Sequence, residues 1–203
     1  MLRDKLPPPK LSRIAGADVS FSRGDSVMYA AVVVLDAATL ETIDEALAVV
    51  AVDFPYIPGL LSFREGPALL EAFRKLRTKP DVIIFDGQGI AHPRGLGLAS
   101  HMGLVLDTPT IGCAKKILLG VHGELEIERG ARTPLYHEGS TVGAALRTKR
   151  NVKPVYVSQG HMVSLDTSLS IVLDTCGGYR IPEPTRRAHL TVNRLRKSSV
   201  QDQ

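Results

Sequence analysis

The chain is poor in cysteine and in aromatic residues: its 203 residues include two cysteines and no tryptophan, and aromatic residues make up 5%. Cys113 and Cys176 stand alone without a metal-ligand spacing, which indicates a reduced, cytoplasmic protein rather than a disulfide scaffold. No stretch approaches the ~20 consecutive apolar residues of a membrane span, and residues 1–10 have no apolar signal core. We therefore expect no association with a membrane.

What the chain does contain is an ordinary globular composition with a modest basic excess. Hydrophobic residues make up 44%, and the formal net charge is +4. The length predicts one domain over 1–203, with an extended, proline-rich lead at 1–12 and a disordered tail at 198–203. Basic residues cluster at 186–197 and at 115–116, a pattern typical either of a nucleic-acid surface or of a solvated helix face.

Hydrophobic periodicity predicts an α/β fold. Three strands come first, then a helix, a strand, a second helix and a fifth strand, with bounds near 14–21, 27–35, 43–52, 66–77, 82–85, 95–106 and 110–114. Glycines and short apolar pieces at 120–150 indicate one or two further strands, and Val155–Ser158 another. Ser164 is placed to cap a helix that runs to Cys176, and a basic helix follows Pro182.

Three acids stand where chemistry is expected. Asp86 follows the buried strand at 82–85 and precedes two closely spaced glycines, and ligands of open α/β sheets bind beyond the carboxyl ends of strands. Asp18 lies on the smaller, more polar face of the first strand, and Glu65 lies at the start of the first helix. Carboxylate oxygens are ligands that Mg²⁺ prefers, so these acids are candidates for a cation site.

Each acid also has a structural interpretation. Asp18 could be only the polar side of an alternating strand, and Asp86 could simply begin a turn. Glu65 could close a capping box with Ser62. Pro67, as the first helical residue, would instead leave Glu65 just outside the helix.

Four blocks of the sequence are similar to the endonuclease V family, the deoxyinosine-specific repair nucleases. The blocks are Ile14–Phe21, Pro55–Glu65, Val82–Lys116 and Pro182–His189, and the resemblance extends over about 11–195. It implies a ribonuclease-H-like, three-layer α/β fold with a mixed central sheet flanked by helices. Members of this family usually carry a helical stretch ahead of the first strand, whereas only about a dozen residues precede it here.

The resemblance also implies a catalytic set. Asp18, Glu65 and Asp86 match the family's metal-binding acids, which would hold Mg²⁺, with Mn²⁺ as a substitute. Lys115 matches a lysine that contacts the scissile phosphate or stabilises developing charge, and His189 matches a residue that binds metal or positions water.

A stiff, proline-rich loop at 55–59 is the second implied site. In the family this segment is a wedge that enters the DNA helix, here with Tyr56, Ile57 and Pro58 at its tip; the alternative is a hydrophobic plug in the protein's own core. A pocket for the flipped base is implied at Gly59, Leu61, Gly87 and Leu118, where main-chain groups distinguish hypoxanthine from adenine, and His92 is expected to contact DNA.

These observations predict a monomeric, Mg²⁺-dependent DNA repair endonuclease that binds deoxyinosine in double- or single-stranded DNA. The resemblance places the cut at the second phosphodiester bond 3′ to the lesion, leaving a 3′-hydroxyl and a 5′-phosphate. Two alternatives stay open: a ribonuclease specific for inosine in RNA that uses the same site, and a non-catalytic nucleic-acid-binding module.

Overall fold

The computed structural model describes residues 11–21, 27–55, 57 and 59–201. The chain begins with an antiparallel meander of β1 (Arg13–Ser20), β2 (Val27–Asp36) and β3 (Thr42–Ala51). All three predicted strands are confirmed to within a residue at each end. β2 is the most buried of the three because its apolar run contacts the core on both faces of the sheet.

A parallel section follows the meander. α1 (Leu61–Arg74) leads to β4 (Val82–Phe85), and α2 (Leu98–Leu106) leads to β5 (Thr110–Ala114). β4 pairs in parallel with β1 on one side and with β5 on the other. The carboxyl ends of β1, β4 and β5 therefore meet at one edge of the sheet, which is where the sequence places its acids.

The remaining strands extend the sheet. β6 (Val121–His122), β7 (Arg132–His137), β8 (Ser140–Leu146) and β9 (Val155–His161) pair antiparallel, and β9 joins β5. Between 120 and 150 there are three strands, one more than the sequence predicts. The additional strand is β6, which has two residues and is defined by its pairing with β7 rather than by a sequence pattern. In the described part of the chain the sheet has nine strands, ordered β3-β2-β1-β4-β5-β9-β8-β7-β6.

Two pairs of helices cover the sheet and complete the three layers. On one face, α1 packs through Leu69 and Ala72, and α2 packs through Ala99 and Met102. These side chains form one core cluster with Phe85 of β4. α3 (Leu165–Asp174) and α4 (Glu183–Gln201) cover the opposite face. The predicted ribonuclease-H-like α/β arrangement is confirmed. No helix of the described residues is long and apolar enough to cross a bilayer.

The contact between α4 and β1 positions the site most directly. Gly16 lies against the main chain of α4, and a Cβ there would stand 2.0 Å from the carbonyl carbon of Pro184. The absence of a side chain on Gly16 lets the helix approach the strand closely. The small, polar face of β1 is thus the face that α4 covers, and Asp18 and Ser20 on that face both contact α4 side chains.

Several predicted helix bounds are corrected. α1 begins at Leu61 rather than near residue 66, so Glu65 lies inside the helix; Pro67 is also inside it. The first turn is held by tertiary contacts, which outweigh the preference of proline for a helix start: Ser62 Oγ bonds His101 Nδ1 at 2.9 Å, and the Arg64 side chain bonds the Phe54 carbonyl. Ser62 does not cap the helix, because the N-cap residue is Leu60 and no side chain caps it.

The ends of α2 and α4 also differ from the prediction. α2 begins at Leu98 because Gly95 has a positive φ of 62° and Gly97 is extended. α4 continues to Gln201, where the sequence predicts a disordered tail from 198. Ser164 caps α3 as predicted, since its side chain accepts a hydrogen bond from Thr167 N.

Candidate active site

Asp18, Glu65 and Asp86 come together at the carboxyl edge of the parallel section. Ala17 on β1 is the register partner of Phe85 on β4, so Asp18 and Asp86 occupy the next positions of two adjacent parallel strands. Glu65 reaches the same place from the first part of α1 and is buried. The structure therefore supports the convergence that the sequence predicts for these three acids.

The three carboxyl groups interact electrostatically. Burial, together with the negative charges of Asp18 and Asp86, raises the pKa of Glu65 to about 8. Burial also raises the pKa of Asp18, and the charge of Asp86 adds to this effect, while the hydrogen bond from His189 opposes it. Like charges held close in a region of low polarity favour the protonated acid or a bound cation.

Two basic side chains complete the cluster. His189 on α4 donates from Nδ1 to Asp18 Oδ2 at 2.7 Å, and Asn193 Nδ2 lies 3.2 Å from His189 Nε2. Lys115, directly after β5, donates its Nζ to Asp86 Oδ2. Lys115 is 40% exposed and His189 51% exposed, so both remain accessible to a ligand. All five residues predicted to be catalytic thus occupy one continuous site.

The donor set fits a divalent cation, although its side chains are not arranged as a ligand cluster. Within residues 11–21, 27–55, 57 and 59–201, no three His, Cys, Asp or Glu side chains form a group that could hold a metal ion as they stand. Asp18 and Asp86 are bonded to His189 and Lys115 instead. Three mutually repelling carboxyl groups nonetheless supply the hard oxygen atoms that Mg²⁺ prefers, and its charge would relieve their repulsion.

A pocket opens beside the acids. It has a volume of about 370 Å³, and its lining includes every described residue that the sequence assigns to lesion or DNA binding: Ile57, Gly59, Leu61, Gly87, His92 and Leu118. Tyr56 and Pro58, the other two residues of the predicted wedge, lie outside the described residues. His92 is buried, and its Nδ1 accepts a hydrogen bond from Arg94 N at 3.2 Å. Arg94 in turn bonds the Gly59 carbonyl, which joins the two loops that form the pocket mouth.

The pocket and the acids share a boundary at Asp86 and Gly87. A Cβ added to Gly87 would stand 3.6 Å from Leu98, an ordinary contact, so the protein's own packing does not require glycine there. Gln88, Leu98 and Lys116 also line the pocket. The sequence indicates Lys116 only as part of the basic cluster at 115–116, and the position of Gln88 two residues after Asp86 is the one signal that could have suggested it.

The basic C-terminal cluster is only partly available for phosphate. Arg186 and Arg187 both bind the buried carboxylate of Glu183, and Arg196 donates to the Phe21 carbonyl. The first two ion pairs lie within α4 and Arg196 ties the helix to the end of β1, whereas Arg194 and Lys197 are exposed. For Arg186 and Arg187 the sequence does contain a signal, since Glu183 precedes them by three and four residues on one helix.

Comparison with known proteins agrees with this geometry. The family model described as Endonuclease V matches residues 1–190. Endonuclease V from Dictyoglomus turgidum is 52% identical over 201 residues, which cover 99% of this chain and 86% of the relative. The crystal structure of Endonuclease V from Streptomyces avermitilis superimposes with a TM-score of 0.94 at 46% identity, covering 98% of this chain and 88% of that one.

A third similar structure contains nucleic acid. Ciona intestinalis Endonuclease V, in complex with a 24mer DNA containing an inosine followed by a ribo-adenosine, is 28% identical with a TM-score of 0.82; the match covers 98% of this chain and 92% of that one. Together with the fold and the acid cluster, these similarities define the protein as a deoxyribonuclease. More specifically, the chain belongs to the endonuclease V family.

Proposed function

We propose that this enzyme recognises deoxyinosine in DNA and hydrolyses the second phosphodiester bond 3′ to it. The observation that carries the proposal is the shared boundary of the two parts of the site: Asp86 belongs to the acid cluster, and Gly87 beside it lines the pocket. A base held in the pocket would place its own strand across the acids. The Ciona relative, whose structure contains inosine-bearing DNA, supports the choice of lesion.

The chemistry follows from the residues at the edge of the sheet. Enzymes of the endonuclease V family are metal-dependent, and we assign Mg²⁺, with Mn²⁺ as a substitute, to Asp18, Glu65 and Asp86. The cation would neutralise charge on the phosphate and make a water molecule more acidic. The Lys115 ammonium group would move from Asp86 and donate a hydrogen bond to a phosphate oxygen. His189, which is fixed against Asp18, would orient the attacking water. Cleavage would leave a 3′-hydroxyl and a 5′-phosphate.

The pocket is suited to a flipped purine. Its lining is mostly apolar, and Gly59 and Gly87 line it without side chains, so that a base could approach the main chain there. Hypoxanthine offers a carbonyl and an N–H where adenine has an amino group and an acceptor, so main-chain donors and acceptors can distinguish the two. We assign the wedge that fills the vacated space to Tyr56, Ile57 and Pro58, of which Ile57 is described and is 40% exposed.

Cleavage mapping tests the proposal. A duplex with one deoxyinosine is incubated with enzyme in Mg²⁺, in Mn²⁺ and in a chelator, beside a matched adenine duplex and a matched RNA carrying one inosine. We expect one nick in the inosine strand of the DNA, only with metal, at the second bond on the 3′ side. Faster turnover of the RNA would make this an inosine-specific ribonuclease, and binding without any nick would make it a non-catalytic module.

A further inference from the structure

The segment of Lys115 and Lys116 serves both parts of the site. Lys115 directs its ammonium group to Asp86, and Lys116 lines the pocket. Both side chains are exposed, and the segment follows the last residue of β5, where no strand pairing holds it. A free ammonium group on such a segment would sample many positions, so other contacts must define where it stands.

Two side chains from distant parts of the chain bind the main chain of this segment. Gln88 donates from Nε2 to the Lys116 carbonyl at 3.1 Å, and Arg180 donates from a terminal nitrogen to the Lys115 carbonyl at 2.9 Å. Gln88 is buried in the wall of the pocket, which limits the freedom of its side chain. The carbonyls of Lys115 and Lys116 are therefore fixed by side chains from two separate loops.

Arg180 is itself rigidly held. Its guanidinium also donates to the Pro154 carbonyl at 2.7 Å and to the Lys153 carbonyl at 2.9 Å, at the start of β9. Its own carbonyl accepts a hydrogen bond from Thr148 Oγ1 at 2.6 Å. A planar group with three carbonyl acceptors has little freedom, and it transmits the position of β9 to Lys115.

We propose that Gln88 and Arg180 are positioning residues for the reaction, which hold the Lys115 ammonium group where the scissile phosphate lies. The inference rests on the proposed role of Lys115 as a phosphate ligand. Neither side chain takes part in the chemistry, and each acts on the rate through the main chain of the lysine segment; any effect of Gln88 on base binding, which its place in the pocket lining allows, appears in the binding measurement. A misplacement of about 1 Å at a catalytic group can lower a rate by roughly 100-fold.

The molecule contains a matched control. Arg147 also binds three main-chain carbonyls, those of Leu125, Glu126 and Val152, but none of them belongs to the lysine segment. If Arg180 only stabilises the fold, its replacement should affect the protein in the same way as replacement of Arg147. If Arg180 positions Lys115, only its replacement should lower the cleavage rate.

A double-mutant cycle tests the proposal. Arg180→Gln, Gln88→Met and Arg147→Gln are each made in the wild-type and in the Lys115→Ala background, and single-turnover cleavage of an inosine duplex, its binding and the melting temperature are measured. We expect Arg180→Gln and Gln88→Met to lower the rate by roughly 10-fold, about 1.4 kcal/mol, in the wild-type background and by less than about 2-fold without the lysine. Arg180→Lys should restore part of the rate. Arg147→Gln should lower the melting temperature and leave the rate unchanged.

A second measurement does not depend on cleavage. Acylation of lysine amines in the free protein, followed by mass spectrometry, reports how well Lys115 is held against Asp86, with the exposed Lys149 as the internal reference. Arg180→Gln and Gln88→Met should raise the labelling of Lys115 relative to Lys149 several-fold. Unchanged labelling, or rate losses that are equal with and without Lys115, would overturn the positioning role. Absence of cleavage by the wild-type enzyme would instead overturn the proposed function, and the labelling result would still decide the inference.

Discussion

Replacement of Gly87 by alanine should separate recognition from folding. The added Cβ would find only Leu98 at 3.6 Å and no main-chain atom nearby, and Gly87 does not have a positive φ. We therefore expect the free energy of unfolding to change by less than about 0.5 kcal/mol. The methyl group would instead occupy the edge of the pocket, where the base is proposed to approach the main chain.

The expected loss of affinity follows from the hydrogen bonds at stake. If the base desolvates a main-chain group while the added methyl group prevents their hydrogen bond, the free energy of binding becomes less favourable by about 1–3 kcal/mol. This corresponds to a weakening of inosine-duplex binding by roughly 5- to 150-fold. Gly89→Ala is the contrasting variant, because its Cβ would stand 2.1 Å from the Gln159 carbonyl oxygen, a main-chain clash that should destabilise the fold itself.

Fluorescence anisotropy in a chelator gives the affinity for inosine and adenine duplexes, and thermal denaturation gives the stability of each variant. Wild-type affinity in Gly87→Ala would show that the base does not enter this pocket. A melting temperature that falls together with the affinity would show that Gly87 is needed for the fold, contrary to the geometry.

Three further predictions concern other parts of the molecule. Asp86→Ala should abolish cleavage in Mg²⁺ while keeping inosine-duplex binding, and near-normal turnover would exclude Asp86 from the metal site. Lys115→Ala should reduce the slope of log affinity against log salt by about 0.9, the value of one phosphate contact, and an unchanged slope would contradict that contact. Asp44 is buried and accepts hydrogen bonds from the main-chain N–H groups of Glu45, Arg77 and Thr78. Burial by itself would raise the pKa of Asp44, but these donors lower it below its usual value. Its contribution to stability is thus present above its unfolded pKa of about 3.9 and lost as the pH falls through the lower folded value. Asp44→Ala should destabilise the protein by about 2 kcal/mol, or about 4–8 °C in melting temperature, and the difference from wild type should shrink in acid.

The fold could be predicted where periodicity and apolar runs are long. β2 and β4 are uninterrupted apolar segments, and Ser164 before α3 is a conventional cap; all three are confirmed. The start of α1 could not be predicted, because it depends on the contact of Ser62 with His101 on another helix. β6 could not be predicted either, since a two-residue strand has no period of its own.

The candidate site was likewise predictable only in part. The acids could be placed because the ribonuclease-H-like fold that the family resemblance implies sets β1 beside β4, as the structure has them. The pairing of His189 with Asp18, and the hold of Arg180 on the Lys115 carbonyl, depend on where α4 and the segment before it cross the sheet. Such contacts between residues distant in the chain leave no trace in local composition. The family resemblance suggested His189, whereas only the three-dimensional arrangement identified Gln88 and Arg180.

The close packing of α4 on β1 at Gly16 has a consequence for biosynthesis. Asp18 and its partner His189 are separated by 171 residues, so Asp18 is synthesised well before His189. At about 5–20 residues per second, the ribosome adds His189 roughly 10–35 s after Asp18. Until then the small, polar face of β1 lacks its cover, and the site lacks its histidine. A nascent or truncated chain that lacks α4 therefore lacks one side of the site.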